Sequence, residues 1–354
     1  MRAILTPLFR VLFRRTNRST PVDPAKVKRV LLLRYDAIGD GIVTLPMIDF
    51  ILTTCPNAMV DVVTSPANDQ IFATEPRIRR YCFDRTLYRY VATWWALRRN
   101  RYDLTFSLVI NKTTLAGWLA NTLGKSAVTV TFEHPERRHV YGVWFNMQIP
   151  QERGVETMTM MQLRLAGAAL GVPPQFDQYP LRLSLPEGSH TIACQVMAEG
   201  RPTVVLNLSA GNAYRMLSEE RNTALAQQVL QRHPSWHIAL IGHGPRIAMA
   251  QRIASSLGGR AIAIPAGSFL SMAAVLQRAV LLISPDTSMI HAASAVGTPV
   301  VGLYTTRATF IHEWMPYGVP FEAVVTHERA DLDTLEPERI ADAVDALATR
   351  LHNV

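Results

Sequence analysis

The sequence has few of the features that assign a function at sight. Only three of its 354 residues are cysteine, Cys55, Cys82 and Cys194. Their odd number and spacing fit neither a disulfide framework nor a metal ligand set. They read as reduced, mostly buried thiols in a cytosolic protein. No Gly-x-Gly-x-x-Gly follows an apolar run, which argues against an NAD(P)-dependent dehydrogenase. No apolar stretch is long enough to span a bilayer, and the N-terminus lacks the core and cleavage site of a secretory signal. Internal repeats and low-complexity tracts are missing too.

Charge is sparse and unevenly placed. Charged residues make up 18% and apolar residues 48%, the balance of a well-packed globular protein, with a net charge of +8. Residues 1–34 hold nine Arg or Lys and one Asp, so they carry all of that excess. The remaining residues are balanced, which excludes a general nucleic-acid binder. Within residues 1–18, Ile4, Leu5, Leu8, Phe9, Leu12 and Phe13 share one half of a helical wheel, as does Val11. Arg10, Arg14 and Arg18 lie on the other half, whereas Arg2 and Arg15 fit neither cleanly. A basic amphipathic helix reads as a contact with an anionic membrane surface; docking on the protein's own domain is the alternative. Pro21–Pro24 then reads as a linker.

The rest alternates short apolar runs with helical patterns, the signature of a doubly wound α/β protein. Its length favours two domains. Expected strands in the first half are 59–65, 79–84, 102–108 and 127–132, with helices at 87–99, 113–123 and about 155–170. Trp94, Trp95 and Trp118 are expected in the core. A proline-dotted segment after Gly171 marks a boundary. The expected division is an extension over 1–26, a first domain over 27–175 and a second over 176–354, with the closing helix free to pack back on the first. Strands at 202–209, 237–242, 261–265, 280–284 and 300–304 and helices at 219–231, 247–257 and 336–351 fill the second.

Two stretches carry the chemistry. In Val30-Leu-Leu-Leu-Arg-Tyr-Asp-Ala-Ile-Gly-Asp-Gly-Ile-Val-Thr-Leu-Pro46 a buried strand runs into a tight loop and then a helix. Gly39 and Gly41 are read as supplying backbone angles closed to other residues. Asp40 falls at or next to the helix N-cap, where a carboxylate serves either as a cap or as a general base. The second stretch, Leu281 to Tyr304, repeats the strand, loop and helix. Asp286-Thr-Ser-x-x-His291 lies at its turn and Gly297-Thr-Pro299 at the helix end. A helix N-terminus with the hydroxyls of Thr287 and Ser288 suits a phosphate.

Together these stretches resemble glycosyltransferase family 9, the lipopolysaccharide heptosyltransferase family. Gly39-Asp40 to Pro46 matches the family's Gly-Asp-x-x-x-x-x-Pro element. Asp286 to Pro299 matches its Asp-Thr-x-x-x-His-x-x-x-x-x-Gly-Thr-Pro element, and the likeness in layout covers roughly residues 28–350. The resemblance implies a GT-B architecture, two Rossmann-like domains facing a cleft. It implies an inverting transfer of a sugar, heptose from ADP-heptose, to a lipopolysaccharide core or related lipid-linked glycan. The enzyme would be cytoplasmic, peripheral at the inner membrane, and need no metal cofactor.

On that reading Asp40 is the base, in a loop with Arg34, Gly39 and Gly41 on the acceptor side. Arg215, Ser209, Gly242, Asp286, Thr287, Ser288 and His291 line the donor site. Two departures from the family pattern stand out. Tyr214-Arg215-Met216-Leu217 replaces the usual basic residue and Trp-Pro, leaving Arg215 either a phosphate cation or a solvated surface residue. Gly244-Pro245-Arg246 stands where relatives carry an acidic residue for the nucleotide, so this position does not support ADP. His291 is either a core residue or a phosphate or sugar contact. Asp331-x-Asp333 reads as a solvated pair. A nucleotide-sugar epimerase and a non-catalytic membrane-associated binding protein are the alternatives; nucleotide release with and without acceptor separates them.

Overall fold

A computed structural model describes residues 15–352 apart from 17, 19, 74, 85, 110–113, 124, 198, 199, 309 and 328. Residues 1–14, most of the amphipathic pattern, lie outside the described residues. The chain folds as two compact units, one ending at Tyr179 and one starting at Pro180.

The first unit follows from its apolar runs. Val30–Leu33 are fully buried in β1 (Arg29–Arg34), at about 1.5–3 kcal/mol for each such side chain relative to exposure. The chain continues through α1 (Ile38–Ile42), α2 (Leu45–Thr54), β2 (Met59–Thr64), β3 (Ile78–Cys82), α3 (Leu87–Arg98) and β4 (Arg101–Ser107). Then come α4 (Thr114–Thr122), β5 (Lys125–Phe132), α5 (Arg138–Trp144), β6 (Met147–Ile149) and α6 (Met158–Leu170). All six strands are parallel in the order β3-β2-β1-β4-β5-β6. Leu31, Leu33, Leu97, Leu119 and Trp144 belong to one cluster, so α3, α4 and α5 share one layer.

The second unit contains α7 (Thr191–Val196), β7 (Thr203–Asn207), α8 (Glu219–Arg232), β8 (His237–Ile241), α9 (Arg246–Ser256) and β9 (Ala261–Ala263). It ends with α10 (Phe269–Gln277), β10 (Leu281–Pro285), α11 (Ser288–Val296), β11 (Val300–Tyr304), β12 (Phe321–Val325) and α12 (Pro337–His352). Its parallel order, β9-β8-β7-β10-β11-β12, repeats that of the first sheet. Ile340, Val344 and Leu347 of α12 are buried in this unit's core with Leu225 and Val229 of α8. In such sheets the strand order reverses at the first strand, here β1 and β7. Ligands bind beyond the carboxyl ends at that point.

Several expectations need correction. The Pro21–Pro24 stretch is bonded to the first unit rather than a free linker: the Val22 N–H donates to the Ala169 carbonyl at 2.8 Å and Asp23 caps the turn at 24–26. Arg15, which fitted neither side of the wheel, is tied down. Its Nε donates to Asn121 Oδ1 at 2.7 Å and its N–H to the Val143 carbonyl at 2.9 Å. Trp95 is 52% exposed because it lies on the outer face of α3. Of the cysteines only Cys55 is buried; Cys194 is exposed. Asp331 and Asp333 are open to solvent, as read from the sequence; Asp331 also pairs with Arg307, and Asp333 accepts from the Ser218 N–H at 2.6 Å.

Candidate active site

At the end of β1 two carboxylates gather on one buried guanidinium. Arg34, the last residue of β1, is fully buried. Its Nη1 donates to Asp36 Oδ2 at 2.8 Å and to Asp40 Oδ1 at 3.3 Å. Its Nε and Nη2 have no protein partner, nor does Asp36 Oδ1. The loop is fixed from the end of β2. Asn68 Nδ2 donates to the Arg34 carbonyl at 2.8 Å, and Ser65 Oγ to the Asp36 carbonyl at 2.7 Å.

Asp40 is not the N-cap. The cap is Ala37, and Asp40 is the third residue of α1, in its first turn. Neither Gly39 nor Gly41 has a positive φ, so backbone angle is not why they are glycine. For Gly41 the reason is space: a Cβ there would lie 3.1 Å from Asn68 Cβ. Burial, and secondarily the charge of Asp36, push the Asp40 carboxyl up to about 6, with Arg34 opposing. A carboxylate so placed takes a proton readily near neutral pH.

The second unit builds a polar cluster at its own switch point. Asn207, buried at the end of β7, donates from Nδ2 to Ser284 Oγ at 3.0 Å and to Thr287 Oγ1 at 3.2 Å. Its Oδ1 accepts from the Ser209 N–H at 3.1 Å, and Ser209 Oγ accepts from the His243 N–H at 2.8 Å. Gly242 is required there by close approach, since a Cβ would meet the Arg246 carbonyl at 2.3 Å. Thr287 is the N-cap of α11 and accepts from the Met289 N–H, so its hydroxyl is engaged within the protein. Ser288 opens the helix, half-buried.

Arg215 is not a solvated surface residue. Its Nη1 meets Asp286 Oδ2 at 3.0 Å, while its Nε is buried without a partner. Burial raises the Asp286 carboxyl and Arg215 opposes this. The guanidiniums of Arg215 and Arg307 stand 5.6 and 5.3 Å from the ring of Tyr214, a grouping for which the sequence offered no spacing signal. His291 is inside α11 against Trp314, at 5.8 Å between ring centroids. Burial lowers its pKa to about 4, so it is neutral at physiological pH and offers a ligand no charge. Among the described residues no group of three or more His, Cys, Asp or Glu is arranged to hold a metal ion.

Asp36 and Asn207 were missed as site residues in the sequence. The only signal was a polar residue closing an apolar strand, as in Leu-Leu-Leu-Arg-x-Asp and Val-Val-Leu-Asn.

Two Rossmann-like units, each with polar and charged side chains gathered at its switch point, make up the GT-B architecture. Residues 90–341 match the profile of glycosyltransferase family 9 (heptosyltransferase), and the chain belongs to that family. The match takes in the Asp286–Pro299 element and begins after Asp40. Lipopolysaccharide heptosyltransferase 1 of Pseudomonas aeruginosa is 23% identical over 290 residues, 78% of each chain. A family 9 glycosyltransferase structure from Veillonella parvula superposes with a TM-score of 0.74 at 16% identity, over 94% of this chain and 99% of that one. For the E. coli heptosyltransferase WaaC with ADP the TM-score is 0.69 at 19% identity, over 92% and 100%. With these two structures the likeness is one of fold.

Proposed function

We propose that the protein is an inverting glycosyltransferase that moves heptose from ADP-heptose to a lipopolysaccharide core or related lipid-linked glycan, with Asp40 as general base. The observation that carries the reading is Asp40 itself. It is a carboxylate raised to about 6, held at the carboxyl end of β1 by a buried arginine. In one displacement the acceptor oxygen bonds to the anomeric carbon as the bond to the diphosphate oxygen breaks. The electron pair leaves with the nucleoside diphosphate, and the acceptor proton passes to an Asp40 oxygen. The charge that develops on the diphosphate is met by Arg215 and the N-terminus of α11 at Ser288. This is a metal-independent route. Asp286 keeps Arg215 in place, while Asn207 fixes the Thr287 and Ser209 loops. Gly242 lets the 242–246 turn close on them, and neutral His291 packs behind.

The donor half is tested by affinity. Arg215→Ala and Thr287→Ala are expected to weaken ADP binding by about tenfold or more each, the loss of a charge-assisted contact or of the loop's anchor. The thermal shift given by ADP should shrink in both variants. An unchanged shift in both would remove this assignment.

The acceptor is lipid-linked on this reading, and the enzyme is cytoplasmic and peripheral at the inner membrane. The basic amphipathic pattern of residues 1–18 supports it, with residues 1–14 as the part beyond the Arg15 anchor. Deleting residues 1–14 is expected to lower binding to anionic vesicles and leave turnover on a soluble acceptor intact. Wild-type binding should fall with salt, since exposed charges are screened within about 8–10 Å. Equal vesicle binding by the shortened protein would sink this role for the extension.

A further inference from the structure

Helix α3 has an outer face that the fold does not use. Of the seven large apolar side chains exposed among the described residues, three are on this helix: Tyr88 at 81%, Val91 at 41% and Trp95 at 52%. They stand at i, i+3 and i+7, one stripe along the helix. Arg98 and Arg99 continue it by a turn. The Arg98 guanidinium lies 4.4 Å from the Trp94 ring centroid and that of Arg99 5.7 Å from Trp95. From residue 85 to 102 the sequence has five arginines and no acidic residue. The opposite face, with Leu97, belongs to the core.

We infer that this face docks on an anionic phospholipid surface. Aromatic rings with one apolar and one polar edge settle at the headgroup level of a bilayer, and flanking arginines add attraction to anionic lipid. Charge decides between occupants. The chain's own extension carries Arg2, Arg10 and Arg14, and a second copy of this helix would set arginine against arginine. Neither complements a stripe whose own charges are Arg98 and Arg99, while Asp84 at the start of the helix is already paired with Arg89 at 3.4 Å.

Position in the fold supports the same partner. Cys82 at the end of β3 is in register with Thr64, and Thr64 with Arg34, so the chain enters α3 from the same carboxyl end of the sheet as the loop that leads to Asp40. Trp118 of α4 donates to the Tyr90 hydroxyl of α3 at 2.7 Å, and Arg15 is bonded to Asn121 one turn further along α4. The anchor of the basic extension and the α3 face therefore share a layer of the unit. The inference deepens the lipid-linked acceptor reading by giving the membrane contact a folded component.

The test uses the full chain with vesicles of phosphatidylglycerol and phosphatidylcholine, against vesicles of phosphatidylcholine alone. The variants are Tyr88→Ser/Trp95→Ser and Arg98→Gln/Arg99→Gln, whose side chains lie outside the core and outside the catalytic machinery. Each pair is expected to reduce partition onto the anionic vesicles about tenfold, with melting temperature and ADP thermal shift unchanged. Vesicle binding is read without turnover, so failure of the catalytic reading leaves this result interpretable. Wild-type partition in both variants would overturn the proposal. So would equal binding to the neutral vesicles, or a change in sedimentation mass, which would assign the face to a second copy.

Discussion

Asp40→Asn is expected to lower turnover by about 10²–10⁴-fold while leaving donor affinity in place. Asp40 is not the cap of α1, and the amide is close in size to the carboxylate, so the helix start is left in place. What it cannot do is take a proton. Because the folded carboxyl titrates at about 6, wild-type kcat/KM should fall with unit slope below that pH and level off above it. Stability runs in the opposite sense. The group binds its proton more tightly folded, at about 6, than in its ordinary state near 3.8. Its contribution therefore favours the fold below pH 3.8 and is lost as pH rises through 6. The asparagine variant should lose that slope and melt no lower than wild type at neutral pH. Near-normal turnover in a folded sample would make Asp40 structural.

Arg34→Met should do the most damage to the fold. It removes the one cation between two carboxylates that are themselves largely buried, with 20% and 16% of the Asp36 and Asp40 side chains exposed. Taking one partner from a buried ion cluster costs about 3–5 kcal/mol. Methionine recovers packing, and two unpartnered guanidinium nitrogens disappear, so the lower end applies. The loss should be greatest in mildly alkaline solution and recover on acidification, because without Arg34 the Asp40 carboxyl holds its proton to higher pH. For the same reason the acid limb of kcat/KM should move above pH 6. Arg34→Lys keeps a charge, and its limb should stay near wild type. An unshifted limb in a folded Arg34→Met sample would show that this arginine does not set the base.

Most of the fold was legible because parallel strands are buried on both faces and read as continuous apolar runs. Val30–Leu33 and Leu281–Ile283 are of this kind. Elements at the margins were not legible. Met147–Ile149 is three residues long, Phe321–Val325 is a half-buried edge strand carrying Glu322, and α10 is apolar all round with no period to detect. The start of α1 was misplaced because Gly-Asp-Gly reads as a helix breaker. Tertiary packing beneath Asn68 outweighs that propensity.

At the site, residue types were readable and their pairings were not. An arginine and two aspartates follow a strand in the text of the sequence. Only the fold shows both carboxylates on a single guanidinium nitrogen. Likewise Trp95 had the composition of a core residue and the helical phase of a surface one.

Each six-stranded sheet is built from one uninterrupted stretch of chain, the first lying wholly within the unit that ends at Tyr179. That has a consequence during synthesis. At roughly 5–20 residues per second, the 175 residues from Pro180 to Val354 take about 10–35 s to emerge. Throughout that interval the ribosome-bound polypeptide already holds every strand of its first sheet. The non-local pairings of that sheet, the slow part of a parallel topology, can form before the second set of strands exists to compete for them.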